Sequence, residues 1–306
     1  MTTTNGVLVV DKPAGPTSHD VVDRVRQALG ERRVGHTGTL DPFATGVLPV
    51  CVGKGTRLVR FLAEGEKAYR ATVRLGFATT TDDLEGEPLA APRDVRVTAA
   101  EVTAACDRLS GPMQQVPPAY SAKRIAGERS YDLARRGVAV ERVPSAVVIH
   151  RIEVGGVEGD RVELDVRCSP GTYVRALARD LGEALGVGGH LVALRRTRSG
   201  GFGLEDAVPW NDLASQARSK LLPLSSVLKD IPAVRVGADG RAALRHGRAL
   251  TAALVTEGFP AAPPLRVRVL DETGALLALA VPRGFGPAAP GLRLEPVLHP
   301  DVVLLD

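Results

Sequence analysis

The chain reads as an α+β protein. A large domain is expected on a mixed, largely antiparallel sheet with flanking helices, and a small β-rich domain follows it. Three observations predict this. Lys67–Gly76 and Arg161–Cys168 alternate apolar and polar side chains with period two, as half-buried strands do. Helical stripes lie between such strands without regular strand–helix–strand alternation, which argues against an all-parallel sheet. Beyond Trp210 the texture changes, and Asp230–Asp306 consists of short apolar runs broken by Pro, Gly and Ala. The expected boundaries are 1–230 for the first domain and 231–306 for the second.

Each element has its own local reason. Gly6–Val10 is a short apolar run, read as a buried strand. Thr17 with Asp20 three residues on forms a capping-box pattern, Val21, Val22, Val25 and Leu29 make a helical stripe, and Gly30 ends it. Residues 35–56, rich in Gly, Thr and Pro, read as a long structured loop leading into the strand Val47–Val52. The strand Lys67–Gly76 is followed by an acidic loop, Thr79–Pro88. Thr98–Leu109 is a helix ended by Ser110-Gly111-Pro112. Gln115–Pro144 is basic and reads as an exposed insertion, with a short helical pattern at Tyr131–Arg136. Ala146–Val154 and Arg161–Cys168 are strands joined by a glycine turn. Thr172 is read as the cap of a helix carrying Tyr173, Val174, Leu177, Leu181 and Leu185 on its apolar side. His190–Arg198 is a further strand, and Leu265–Leu270, Ala275–Val281 and Leu292–Pro296 are short strands of the second domain.

Composition narrows the function classes. No stretch is long and apolar enough for a membrane span, and no secretory leader is legible. Three cysteines, odd in number and far apart, suit free thiols in a reducing cytoplasm. The histidines are scattered, so no zinc site is legible. The net charge is +4, but basic residues concentrate in 31–60, 119–145 and 167–201 while the rest of the chain is mildly acidic. Such a distribution suits either a phosphate backbone or a solvated surface.

The densest chemistry lies in Gly35-His36-Thr37-Gly38-Thr39-Leu40-Asp41-Pro42-Phe43-Ala44-Thr45-Gly46. One acid sits among hydroxyls and backbone N–H groups that could keep it ionised, as nucleophilic or base catalysis requires. An Asp-Pro turn initiator is the other reading. Arg175 falls in the first turn of its helix, where a cation opposes the helix dipole, so a carboxylate partner is expected there, or else exposure to solvent. Val52-Gly53-Lys54-Gly55-Thr56 lacks the Ser or Thr that a phosphate loop needs directly after its Lys.

Six segments in order carry a resemblance: Lys12-Pro13 with Gly15 and Ser18; Gly35–Gly46; Lys67-Ala68-Tyr69-Arg70; Gln115-Val116-Pro117-Pro118-Ala119-Tyr120-Ser121-Ala122; Ser169-Pro170-Gly171-Thr172-Tyr173-Val174-Arg175; and His190-Leu191-Val192-Ala193-Leu194-Arg195-Arg196. Together, over about residues 5–200, they resemble the bacterial tRNA pseudouridine-55 synthases. The resemblance implies isomerisation of one T-loop uridine by base flipping, with no cofactor and no metal. It implies Asp41 as nucleophile, Arg175 as its partner, and Tyr69 as stacking platform and proton acceptor. His36, Tyr173, Leu194 and Lys12 would contact the substrate. Arg135, Arg136, Arg195 and Arg196 would hold the RNA backbone, the first two from an RNA-gripping insertion at about 115–145.

On the residues alone, Tyr69 and Leu194 also fit a plain core, His36 a structural role and Lys12 a turn support. The resemblance further implies a PUA-like RNA-binding domain at 231–306, separable enough that removing it from about residue 232 leaves a folded enzyme. The T-arm of tRNA is the implied partner, met by a cytoplasmic monomer with no membrane and no obligatory protein partner. The alternatives are a non-catalytic tRNA-folding or tRNA-binding protein, a pseudouridine synthase acting on another RNA, and an unrelated small-molecule enzyme.

Overall fold

A strand that is apolar at every position needs cover on both faces, whereas one that alternates can leave a face in water. Both kinds occur in one sheet here. The computed structural model describes residues 4–119, 142–284 and 295–305, together with the backbone of 124–125 and 128–129. In chain order the first lobe holds β1 (Gly6–Lys12), α1 (Ser18–Leu29), β2 (Val34–His36), β3 (Thr45–Val52), α2 (Val59–Ala63), β4 (Lys67–Leu75), α3 (Ala99–Arg108) and β5 (Gly111–Gln115). There follow the two-residue strands β6 (Arg124–Ile125) and β7 (Glu128–Arg129), then β8 (Ser145–Glu158), β9 (Arg161–Cys168), α4 (Val174–Ala184), β10 (Gly189–Ser199), β11 (Phe202–Gly203), β12 (Val208–Pro209) and α5 (Leu213–Gln216). The second lobe comprises β13 (Ala233–Val236), α6 (Ala238–Arg245), β14 (Leu250–Thr251), β15 (Val255–Glu257), β16 (Val267–Leu270), β17 (Leu276–Arg283) and β18 (Val297–Val303).

The main sheet runs β12-β1-β3-β10-β4-β9-β8-β5, with β2 also on β3 and β11 on β10. The pairs β1–β12 and β3–β10 are parallel and the other pairs antiparallel, so the sheet is mixed and largely antiparallel. The second lobe has its own six-stranded sheet, β14-β18-β17-β16-β13-β15.

One face of the main sheet carries the larger core. Val21, Val22, Val25 and Leu29 of α1, Val102 and Ala105 of α3 and Leu177 and Leu181 of α4 pack there on Leu8, Leu48, Tyr69, Ala71, Val73 and Leu164. Among the described residues, the opposite face is covered toward β1 and β3. There Val7, Val9, Val47 and Cys51 meet Leu58, Phe61 and Leu62, and also Leu276, Leu279 and Leu304 of the second lobe. On β9, by contrast, Arg161, Glu163, Asp165 and Arg167 are exposed between buried neighbours. The apolar run Gly6–Val10 and the alternation of Arg161–Cys168 are these two situations written in sequence. The cysteines are free and buried, and burial pushes the Cys51 thiol up to about 12.

Local readings and structure differ in places. The capping box of Thr17 with Asp20 is present, and Gly30 closes α1 in the left-handed region at φ 66°. Thr172, however, does not cap α4. The N-cap is Tyr173, with no side-chain cap bond, and the Thr172 hydroxyl donates to Ser169 O at 2.9 Å. Gly111-Pro112, read as a helix stop, also opens the edge strand β5, where Pro needs no ladder donor. The last strand runs Val297–Val303, residues 295–296 are outside it, and residues 292–294 lie outside the described residues, as does Tyr131–Arg136. The β-rich lobe also contains the helix α6, whose Ala243 and Leu244 fill its core.

Candidate active site

A carboxylate can be used in catalysis only if its loop is held. Asp41 lies between β2 and β3, and side chains from three other elements grip the backbone around it. Ser18, at the start of α1, donates its hydroxyl to Leu40 O at 3.0 Å and accepts Leu40 N–H at 2.9 Å. Lys12, at the end of β1, donates to Pro13 O at 3.0 Å, Pro42 O at 3.0 Å and Ala44 O at 2.7 Å. Arg196, on β10, donates to Val47 O at 2.7 Å, Gly38 O at 3.1 Å and Thr39 O at 3.4 Å. The loop rejoins β3 at Gly46, where φ is 103° and a Cβ would stand 2.2 Å from Arg196 O, so only glycine fits.

Two residues expected to face the substrate, Lys12 and Arg196, are turned inward here. Lys12 is 0% and Arg196 1% exposed; Lys12 donates to backbone carbonyls, and Arg196 to backbone carbonyls and the Tyr69 hydroxyl. Neither cation is exposed at the surface of this structure. They are internal struts that satisfy carbonyls a tight loop leaves orphaned. Burial lowers Lys12 to about 8, with Asp41 opposing the shift. Arg195 points the other way on β10, as strand alternation requires, and forms a two-pronged pair with Asp11 at 2.7 and 3.0 Å. It remains half-exposed at the sheet surface. Arg135 and Arg136 lie outside the described residues.

Asp41 and Arg175 meet directly. Arg175 Nε lies 3.0 Å from Asp41 Oδ2, and a terminal nitrogen donates to Oδ1 at 3.1 Å. This is the side-on fork geometry that orients a carboxylate in its own plane. The Arg175 side chain is 8% exposed and that of Asp41 32%, so the guanidinium is the fixed member and the carboxylate is the one with access to solvent. The expected loop hydroxyls are not what holds the charge: among the described residues the carboxylate's hydrogen-bond partner is Arg175. Burial raises the Asp41 pKa, Arg175 opposes this, Asp83 adds to the rise and Lys12 opposes it.

Asp83 is the functional-site residue that the sequence reading passed over. Arg175 donates to Asp83 Oδ2 at 3.1 Å and to Thr81 O at 3.2 Å, so one guanidinium is shared by two carboxylates. The acidic loop 79–88 carries it, and the Asp83 side chain is 4% exposed. A signal existed. Arg175 and Arg179 stand four apart on α4, and like charges at that spacing call for carboxylates opposite them.

Tyr69 is 8% exposed on the apolar face of β4. Burial pushes its hydroxyl pKa up despite a hydrogen bond with Arg196, and Asp41 stands close enough to raise it further. The phenol is therefore protonated at neutral pH. Leu194, 8% exposed, lies on β10 beside β4 on the same sheet face, two residues from Arg196. Tyr173 precedes α4, its N–H donating to Gln115 Oε1 at 2.8 Å and its carbonyl accepting from Gln115 Nε2 at 3.1 Å. His36 is half-buried, with Nδ1 accepting Gly38 N–H at 3.3 Å. Among the described residues no cluster of three or more His, Cys, Asp or Glu could hold a metal ion.

Residues 26–174 match the family model described as TruB family pseudouridylate synthase, N-terminal domain, and residues 175–231 match that of the tRNA pseudouridylate synthase B C-terminal domain. A tRNA pseudouridine synthase B of Symbiobacterium thermophilum is 50% identical over 248 residues, covering 79% of this chain and 82% of that one. The chain belongs to the TruB family. A second relative of that name, from Thermobifida fusca, is 46% identical over 285 residues, covering 90% of this chain and 94% of its own. A chain in the crystal structure of a Cbf5-Nop10-Gar1 complex superposes with a TM-score of 0.75 at 28% identity, covering 98% of this chain and 85% of that one. The TruB assignment spans the gripped loop, Tyr69, Arg175 and Leu194, and both family models end before β13.

Proposed function

We propose that this chain is a tRNA pseudouridine-55 synthase, an isomerase that converts uridine 55 in the T-loop to pseudouridine without a cofactor. The observation that carries the reading is a part-exposed Asp41 carboxylate aimed by the fork of a nearly buried Arg175. The relatives' name supplies the substrate class. C1′ and C5 of a stacked uridine are poorly reachable, so the nucleotide is flipped out into the cleft, where Tyr69 offers a ring and Leu194 an apolar wall. Asp41 serves as nucleophile. Its bond to the substrate forms as N1–C1′ breaks and is released again as C5 of the turned uracil bonds to C1′; C5 then gives up its proton and N1 takes one up. Atoms balance within the nucleotide, so no oxidant, reductant or second substrate is needed.

Residues 1–230 form the catalytic domain, with an RNA grip at about 115–145 in which Arg135 and Arg136 hold phosphates. Residues 231–306 act as a PUA-like RNA-binding domain. The enzyme works in the cytoplasm as a monomer without an obligatory protein partner. Among the described residues no helix is long and apolar enough to cross a membrane.

The test is Asp41→Asn on an unmodified tRNA transcript, under single turnover at saturating enzyme, with pseudouridine mapped by position. Asn keeps the shape and loses the nucleophile. Conversion should vanish while tRNA affinity and melting temperature stay close to wild type, because phosphate contacts and stacking dominate binding. Substantial conversion by the variant, or wild-type conversion at another position, would defeat the reading.

A further inference from the structure

Asp82 has an uncommon backbone beside the site. Its φ is 61°, in the left-handed region that a non-glycine residue occupies at a cost of about 1 kcal/mol or more. Such a conformation persists where contacts over-determine it. Asp82 N donates to Thr79 O at 3.3 Å, Asp82 O accepts from Leu191 N at 3.0 Å, and its carboxylate accepts from Arg179 at 2.9 Å. The left-handed turn decides where two consecutive carboxylates point. Along an extended chain they would leave on opposite sides. Here both reach α4: Asp83 meets Arg175 at 3.1 Å and Asp82 meets Arg179 at 2.9 Å, one helical turn away.

Arg179 makes further bonds from the same guanidinium. It donates to Val116 O at 3.0 Å and to Asp180 Oδ1 at 2.7 and 3.0 Å. The Arg179 side chain is 13% exposed and that of Asp82 9%, so the pair is held away from water, where its geometry is stiff. Val116 follows Gln115, whose amide brackets the backbone of Tyr173. The last described residues before the 119–145 segment are thus fastened to α4 at two points.

We propose that Arg179 is a positioning residue: with Asp82 it clamps the 79–88 loop to α4 so that Asp83 bears on Arg175, which aims Asp41, and it ties that clamp to the root of the insertion. The proposal rests on Asp41 being the catalytic group. A guanidinium held by two carboxylates cannot swing. Released from one it can, and a displacement of about 1 Å at a reacting group costs up to roughly 100-fold in rate.

The variants are Asp82→Asn, which tolerates the left-handed backbone and removes the charge, and Arg179→Met, with Arg179→Lys as the conservative control. Each of the first two should lower the single-turnover rate on saturating tRNA roughly tenfold or more. Affinity for tRNA should stay within about twofold, since binding rests on phosphate and base contacts. Losses in the double variant should not multiply, because both variants open the same clamp. In Asp82→Asn, which removes no cation, the acid limb of the pH profile should move to lower pH as the Asp83 charge leaves the neighbourhood of Asp41, Arg175 and Lys12, and Arg179→Lys should recover part of the rate lost in Arg179→Met. The Arg175 Nε–H resonance of the free protein should shift in both variants. That readout needs no turnover, so a wild-type enzyme inactive on tRNA would sink the functional reading while the clamp is still judged. An unmoved Arg175 resonance, or an unchanged rate and acid limb with only a lower melting temperature, overturns the proposal.

Discussion

Asp41 is under opposing influences that a pH profile can separate. Burial raises its pKa and Asp83 adds to the rise, while Arg175 and Lys12 oppose it. If the ionised carboxylate is the reactive form, activity falls as pH drops through a pKa above the ordinary aspartate value. Asp83→Asn deletes one negative neighbour, which favours ionisation of Asp41. The acid limb of kcat/KM should therefore shift to lower pH, whatever happens to its height; an upward or absent shift counts against the assignment. Lys12 makes a different kind of prediction. Lys12→Met leaves three carbonyls without their donor at a fully buried position, at a cost of about 3 kcal/mol. The melting temperature should drop by roughly 5 °C or more. The salt dependence of tRNA binding should be unchanged, whereas loss of a phosphate contact would reduce its slope by about 1.

At the scale of the element, the helix that delivers Arg175 begins without a side-chain cap of its own. Gln115 at the end of β5 does that work from across the chain, accepting from Tyr173 N and donating to Tyr173 O. Gln115→Ala should destabilise the protein by roughly 2 kcal/mol, measured by denaturant unfolding, because both Tyr173 groups lose the partner that a 1% exposed Gln115 supplies. Gln115→Glu keeps the acceptor but loses the donor, and should also destabilise. Stabilities equal to wild type would show that the bridge is idle. The contrast with α1 is instructive. Its capping box lies within four consecutive residues and could be read directly, whereas the support of α4 comes from 58 positions away.

For the whole molecule, the second lobe is less separable than its composition suggested. Leu276, Leu279 and Leu304 complete a core with Val7, Val9 and Val47 of the main sheet. Arg57 donates to Val303 O at 2.5 Å, and Arg60 pairs with Asp301 across the same junction. Truncation at about residue 232 should therefore yield aggregated or poorly folded protein, losing activity on whole tRNA and on a T-arm hairpin alike. A soluble fragment with the full-length melting temperature and hairpin activity would restore the separable-domain view. Charge is redistributed as well. Of the arginines in 167–201, Arg175, Arg179 and Arg196 are buried or nearly so and spent on carboxylates or carbonyls. Arg167, Arg195 and Arg198 stay at the surface, so half of that window's basic character is internal struts.

The main strands, the capped helices α1 and α3, the loop carrying Asp41 and the need of Arg175 for an acid were all legible from residue order. Each rests on causes that act within a few residues: alternation on a pleat, hydrogen bonds inside one helical turn, a cation against a helix dipole. The run Gly6–Val10 even announced cover on both faces, though not by what. The identities of partners were a different matter. Arg175 finds Asp83 92 positions away and Asp41 134 positions away. Lys12 and Arg196 turn inward to carbonyls, and Leu279 closes the far side of β1 and β3. Those outcomes depend on strand order and register, which bring distant groups to one point. A buried cation takes whichever oxygen that packing leaves unpaired, and no local pattern encodes which one it will be.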